Sequence, residues 1–244
     1  MFRRMSRLLV SFVMIMAGAV IGVGATSGTA HADECYTWSR TLSEGSSGGD
    51  VTQLQIRVAG WVTSGERLSY DGQFGARTTA AVKKFQAAYG LTADGVAGPL
   101  TFSKIYALQD ADCTPVHFTY AELNRCNSDW SGGAVSAATA KANALKTMWK
   151  LEAMRHALGD VSVTVSSGFR SYACNNAVGG SSTSRHLYGD AADLTGSPTL
   201  CRLAQQARTH GFSEILGPGY PGHNDHTHVA LDPSPYWSAP TCGI

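Results

Sequence analysis

The chain has 244 residues, 43% of them hydrophobic, and its 19 lysines and arginines nearly balance 18 aspartates and glutamates, for a formal charge of +1 at pH 7. That length bounds the architecture at one large or two small domains. With no lysine or arginine block to pair with phosphates, nucleic acid is excluded as an expected partner, and no stretch after the N-terminal leader is long and apolar enough to span a bilayer.

Residues 1–32 open with Arg3, Arg4 and Arg7, continue through an apolar run from Leu8, and end at Ala30-His31-Ala32. This is the pattern of a secretory signal peptide cleaved after Ala32; a retained membrane anchor is the alternative. Cleavage leaves 212 residues and, by removing three arginines, takes the charge from +1 to −2. Export carries Cys35, Cys113, Cys126, Cys174, Cys201 and Cys242 into an environment that permits disulfides. None forms a C-x-x-C pair, which argues against a zinc ribbon or a thioredoxin-like redox site. Six cysteines allow fifteen pairings; sequential pairing would staple one region before residue 115 and two after it, each loop contributing roughly 4 kcal/mol on the chain-entropy model.

Asp50, after a glycine- and serine-rich turn, is expected to cap a first helix, with Gln53 as its reciprocal partner. Val51, Leu54, Val58 and Trp61 recur at helical spacing as one buried stripe. Asp71-Gly72-Gln73-Phe74-Gly75 is a turn, followed by a second helix with Ala81, Val82, Phe85 and Tyr89 on its apolar face. After Asp94-Gly95 and Gly98-Pro99 comes a short third helix, about Leu100 to Leu108, with Phe102, Ile105 and Tyr106 on one face. The segments 71–75 and 94–99 are weakly alike, each placed just before a helix. Three short helices in about 80 residues lie near the lower limit at which a core holds by itself. Such a module shows no chemistry of its own and would serve to hold something insoluble beside a tethered enzyme.

Cys113 to Val116 reads as a junction. Thr119 and Glu122 form a capping box for a short helix, and Ser136 to Leu158 is a longer, alanine-rich helix whose Met148, Trp149 and Met154 read as core. His156, at its end, complements the helix dipole and reads as structural. Val161 to Val165 alternates as a strand, Asp190 to Leu194 enters another, 198–210 is helical, and 213–216 and 226–231 are further strands. Helices in blocks with short strands make this region α+β. The whole is expected to be a small N-terminal three-helix bundle, residues 33–114, followed by an α+β domain with a short antiparallel sheet, residues 115–244.

His186, Asp193, His226 and His228 lie in a stretch rich in Gly, Ser and Thr, and they are the residue types that hold Zn²⁺. In an extended strand His226 and His228 project to one face. Two imidazoles and one carboxylate around an open position make a catalytic rather than a structural zinc arrangement; spacing alone leaves open which three of the four are ligands. Taking His186, Asp193 and His228 as the ligands of one ion leaves His226 to steady a developing oxyanion. Asp225 would accept the proton of water, given a bend after Gly222, with a supporting contact to a ligand histidine as the alternative. Arg170, just past a strand, has the planar fork to capture a substrate carboxylate, with Arg185 as the competing candidate. The chemistry is metal-assisted amide hydrolysis.

Ser184-Arg185-His186-Leu187-Tyr188-Gly189-Asp190-Ala191-Ala192-Asp193 fits an S-x-H-x-x-G-x-A-x-D pattern, Asp225-His226-Thr227-His228 places an acid three positions before a histidine, and Gly168-Phe169-Arg170-Ser171 carries an arginine. In these three segments the chain resembles the D-alanyl-D-alanine carboxypeptidase family of zinc peptidases. The resemblance implies His186, Asp193 and His228 as ligands, Arg170 as a substrate-binding residue, and disulfides Cys35–Cys113, Cys126–Cys174 and Cys201–Cys242. The first region resembles a peptidoglycan-binding module through Asp71-Gly72-Gln73-Phe74-Gly75, Thr78, Phe85-Gln86, Asp94-Gly95 and Gly98-Pro99-Leu100-Thr101. Together these imply a secreted enzyme that removes terminal D-alanine from peptidoglycan stem peptides, with peptidoglycan peptide and glycan as its partners. The alternatives are an endopeptidase cutting cross-links or L-Ala-D-Glu bonds, and an inactive wall-binding protein.

Overall fold

The computed structural model describes residues 35–244, so the leader expected at 1–32 lies outside the described residues. The described residues form one compact unit, within which two apolar clusters are distinguishable. Among the described residues, no helix is long and apolar enough to cross a membrane.

The N-terminal cluster is built by α1 (Gly49–Val58), α2 (Ala76–Ala88) and α3 (Pro99–Ala107). The expected stripe of Val51, Leu54, Val58 and Trp61 is buried, as are Ala81, Val82, Phe85, Phe102 and Ile105. Tyr106 is partly exposed, and its hydroxyl accepts from the Trp38 amide at 2.9 Å. The N-cap of α1 is Gly48, without a side-chain cap, rather than Asp50. Asp50 lies one residue inside the helix, where Arg40 Nε holds its carboxylate at 2.6 Å and lowers its pKa.

The likeness between the two turn segments is structural. Gln55 Nε2 donates to Asp71 Oδ1 at 2.9 Å and to Thr78 Oγ1 at 3.3 Å, and its Oε1 accepts from the Gly72 amide at 3.0 Å. Gln86 repeats this clasp on Asp94 (2.8 Å), Thr101 (3.1 Å) and the Gly95 amide (2.9 Å). In each copy a buried glutamine amide finds partners for both its donor and its acceptor, as burial demands.

The C-terminal region contains α4 (Tyr120–Leu123), α5 (Ala137–Ala157), α6 (Tyr172–Ala177) and α7 (Leu200–Thr209) around a five-stranded sheet. The strands β1 (Thr164–Ser167), β2 (Ala191–Thr195), β3 (Glu214–Leu216), β4 (Thr227–Ala230) and β5 (Tyr236–Ser238) lie in the order β1-β2-β4-β3-β5. The fold is α+β, with the expected antiparallel pairing except that β5 runs parallel to β3. The capping box of Thr119 and Glu122 is present, and Ser136 caps α5 by accepting from the Thr139 amide. The first strand starts at Thr164, not Val161. The six cysteines form the three sequential disulfides, closing separations of 78, 48 and 41 residues.

Helix α5 ties the two clusters together. One face lies in the C-terminal cluster through Ala140, Ala144, Met148 and Leu151, while Trp149 and Ala153 belong to the helical one. Lys150, 2% exposed, donates from Nζ to Ala59 O at 3.2 Å and Gly211 O at 2.9 Å, so its ammonium bridges backbone from both regions. His156 is structural as expected, with Nδ1 on Asp160 at 3.0 Å and its ring stacked on Tyr89. Gly60, just past α1, sets the spacing, because a Cβ there would stand 2.5 Å from Ala153 Cβ and 3.0 Å from Lys150 Cα. Overpacking of this kind costs about 1–3 kcal/mol. Gly60→Ala therefore lowers the urea midpoint by a corresponding amount, whereas Gly49→Ala, whose Cβ would meet nothing within 4 Å, leaves it nearly unchanged; equal effects would contradict the close-approach account.

Candidate metal centre

Strands β2 and β4 pair so that Asp193 stands opposite His228, while Ser167 of β1 flanks Asp193 and Leu216 of β3 flanks His228. Directly opposed residues of antiparallel strands share a face, so this register brings the carboxylate and the imidazole together. His186 arrives from outside the sheet, on the short turn Arg185–Tyr188, which Gly189 ends at φ 76°. A Cβ on Gly189 would lie 2.4 Å from Ala140 O, so glycine lets this turn rest directly on α5. Asn143 Nδ2 then donates to Tyr188 O at 3.0 Å, and the Arg170 amide to His186 O at 3.0 Å.

The donor atoms converge. His186 Nε2 and His228 Nδ1 lie 3.0 and 2.9 Å from Asp193 Oδ1 and 3.1 Å from each other. Tetrahedral zinc with bonds of about 2.0–2.1 Å needs donors about 3.3 Å apart, so these three residues fit a Zn²⁺ ion in both donor type and spacing. All three are buried. His186 Nδ1 donates to Gly168 O at 2.5 Å, which turns the Nε2 lone pair toward the centre. On the far side of His228, Nε2 faces Glu214 Oε2 at 3.6 Å. Acceptors that hold the outward ring nitrogen in this way orient ligand imidazoles and raise their basicity.

Electrostatics agree with a cation-binding group. Burial opposes ionisation of Asp193, but the flanking imidazoles outweigh it and hold the carboxyl far below the usual carboxylate range. Burial also disfavours charge on His228, yet the carboxylates of Asp193 and Glu214 raise it to about 9. His186 is pushed down by burial. A metal requires an ionised carboxylate and neutral imidazoles; Asp193 and His186 are already in those states, and an ion bound at His228 displaces the proton that Asp193 and Glu214 favour there.

The other expected site residues take less expected places. Arg170 Nη2 meets Asp193 Oδ2 at 2.5 Å and its Nε donates to Ser167 Oγ at 2.9 Å, so the carboxylate it holds here is that of Asp193. Arg185 is bonded to Asp190, lies 3.7 Å from Asp232 and stacks on Tyr188, and like Arg170 it lines the metal cavity. Asp225 departs from the role of base facing the metal. Its side chain is 89% exposed, and Oδ1 accepts from His226 Nδ1 at 2.7 Å. His226 precedes β4 and turns Nε2 inward, 3.7 Å from Asp193 Oδ1.

Sequence reasoning missed Glu214, His223 and Ser167. Glu214 and His223 join Arg170, His226 and the three metal-competent residues around a cavity of about 630 Å³. His223 donates from Nδ1 to Pro221 O at 3.0 Å and packs against the His226 ring. An acidic residue opening an otherwise apolar strand was the available signal for Glu214; nothing in the spacing pointed to His223.

Comparison with known proteins agrees with this architecture. The family model described as Peptidase M15 matches residues 116–230, and a peptidoglycan-binding domain model matches residues 47–105. The chain is 67% identical over 233 residues, 95% of its length and 91% of the relative's, to a zinc D-Ala-D-Ala carboxypeptidase of Streptomyces albus G. It is also 36% identical over 80 residues, 31% of its length and 22% of the relative's, to a protein of Bacillus licheniformis described as an N-acetylmuramoyl-L-alanine amidase. Among solved structures, a peptidoglycan-binding protein of Clostridioides difficile aligns at 37% identity over 27% of this chain and 39% of its own, with a TM-score of 0.24. With two thirds of its residues shared over nearly the full length of that carboxypeptidase, and with the matched model spanning the strands that carry Asp193 and His228, the chain belongs to the M15 peptidase family.

Proposed function

We propose that this chain is an exported zinc D-alanyl-D-alanine carboxypeptidase, in which residues 33–114 hold peptidoglycan and residues 115–244 hydrolyse the terminal D-Ala-D-Ala bond of its stem peptides. The observation that carries the reading is the convergence of His186, Asp193 and His228 on one face of the sheet, at the wall of a cavity that also presents Arg170 and His226. The Arg-bearing leader and the three disulfides support export.

Zinc held by those three side chains supplies Lewis acidity to water and to the scissile carbonyl. Arg170 fixes Asp193 through Oδ2, which leaves Oδ1 for the metal, and its Nη1, used in neither bond, can receive the terminal carboxylate of the substrate. His226 is the proton-handling group that faces the cavity. Asp225, bonded to Nδ1, holds the ring with Nε2 inward, so the pair can take a proton from water and return it to the leaving amine. His226 in its protonated form also steadies the negative charge that develops on the carbonyl oxygen.

One observation favours cross-link cleavage as a second reading. A cavity of about 450 Å³ adjoins the metal cavity and shares Arg170 and Val178 with it, giving room beyond the arginine for a longer substrate.

Incubation of the oxidised, processed protein with an acyl-D-Ala-D-Ala peptide and with cross-linked wall fragments separates the readings. Metal-dependent release of D-alanine, abolished by a chelator and restored by zinc, is expected by mass analysis; cleavage confined to the bridges would instead support the endopeptidase. Asp193→Ala is expected to lose both bound zinc and turnover. Asp225→Asn and His226→Ala keep zinc but reduce kcat by about 10²–10⁴-fold, the usual worth of positioned proton transfer. Wild-type kcat in both of the latter variants would remove the pair from the mechanism.

A further inference from the structure

The two glutamine-clasped segments carry pockets in matching positions. Leu68-Ser69-Tyr70-Asp71-Gly72 and Leu91-Thr92-Ala93-Asp94-Gly95 align, and each leads through a second glycine, Gly75 or Gly98, to the clasped Thr78 or Thr101. In the second copy, Leu91, Thr92 and Leu100 line a cavity of about 290 Å³, and Leu100 is 75% exposed. In the first copy the equivalents Leu68, Ser69 and Arg77 line a cavity of the same size, but Lys150, Gly211 and Ser213 of the peptidase region form its other wall. An apolar rim in one copy has thus become a cationic chamber in the other, at the junction of the two regions.

That chamber lacks negative charge. Arg67, Arg77 and Lys150 line it, and no aspartate or glutamate does. A fourth cation, Lys146, sits 5.2 Å from the Tyr70 ring, which also lines the chamber. Arg67 donates only to the main-chain carbonyls of Asp232 and Pro233, Lys150 to those of Ala59 and Gly211, and Lys146 to the side-chain amide oxygen of Asn143. Burial without a counter-charge brings Lys150 down to about 7. The hydroxyl of Tyr70 is buried without a hydrogen-bond partner, an arrangement that costs free energy unless something accepts its proton. Each of these groups offers a donor; Lys146 already feels the Asp190 carboxylate, whereas the bonds of Arg67 and Lys150 go to main-chain carbonyls and the Tyr70 hydroxyl has no acceptor.

We propose that this chamber, formed jointly by the helical module and the peptidase region, is a binding site for an oxyanion, either a carboxylate or a phosphate of the wall polymer, with Arg77, Lys150 and the Tyr70 hydroxyl as its donors. The site is separate from the metal cavity and adds an anchoring point beyond the proposed activity. Ser213, just before β3, lines it and Glu214, the first residue of β3, lines the metal cavity, so an anionic group seated there lies beside the start of the strand that borders the catalytic centre. The wall polymer would then be held at the junction itself.

The test is calorimetric titration of the disulfide-bonded, zinc-loaded protein with inorganic phosphate and, separately, with acetate, at ionic strength fixed by sodium chloride. Saturable binding of phosphate assigns the site to a phosphate-bearing polymer, and saturable binding of acetate alone assigns it to peptide carboxylates. In either case Arg77→Ala weakens binding roughly tenfold, the worth of one hydrogen bond to a charged group. Tyr70→Phe weakens it several-fold without lowering the thermal midpoint, since the hydroxyl removed bonds to nothing in the chain. Absence of saturable binding by either anion overturns the proposal, and so does binding that survives both substitutions, which would place the anion at the metal centre.

Discussion

The structure turns on a single strand register, Asp193 of β2 opposite His228 of β4. Side chains alternate along a strand, so a slip of one residue would send one of the two to the opposite face and dissolve the site. The apolar neighbours hold that register. Ala192, Leu194 and Val229 are fully buried in the C-terminal cluster, and a slipped pairing would turn them out of that cluster while driving the charged pair into it. The same hydrophobic burial that stabilises the sheet therefore positions the chemistry.

His186 must reach this pair from outside the sheet, and small residues make that possible. The close seat of Gly189 on Ala140 brings the turn down onto α5. The Gly168 carbonyl then accepts from His186 Nδ1, while the Arg170 amide and Asn143 Nδ2 donate to the carbonyls of His186 and Tyr188, which fixes the imidazole with Nε2 free. Arg170 links this turn to Asp193, so the three donors are held by one connected set of hydrogen bonds. A buried carboxylate between two imidazoles and an arginine is costly to assemble unless every charge finds a partner, and here each does.

Much of this was legible in the sequence because it rests on local pattern. Helical periodicity located α1 to α3, a capping box located α4, an alanine-rich run located α5, and the residue types at 186, 193, 226 and 228 marked the site, with the resemblance narrowing them to the three that converge. What failed depended on neighbours distant in sequence. Asp50 looked like a cap until Arg40 claimed its carboxylate. Strand β1 begins late because its pairing with β2 starts at Thr164 opposite Thr195. The parallel strand β5 is three residues long, too short for alternation to register. Arg170 was read for its affinity for carboxylates, which was sound, but its partner in this structure is Asp193. Asp225 was read as facing the metal, whereas the turn before β4 points it to solvent and offers His226 instead.

The central claim is that one ion sits among His186 Nε2, Asp193 Oδ1 and His228 Nδ1. Crystals of the zinc-loaded protein measured across the zinc absorption edge test it directly. The account predicts a single anomalous peak about 2.0–2.2 Å from those three atoms, and a peak lodged instead on His223 and His226, or none at full zinc loading, would contradict it.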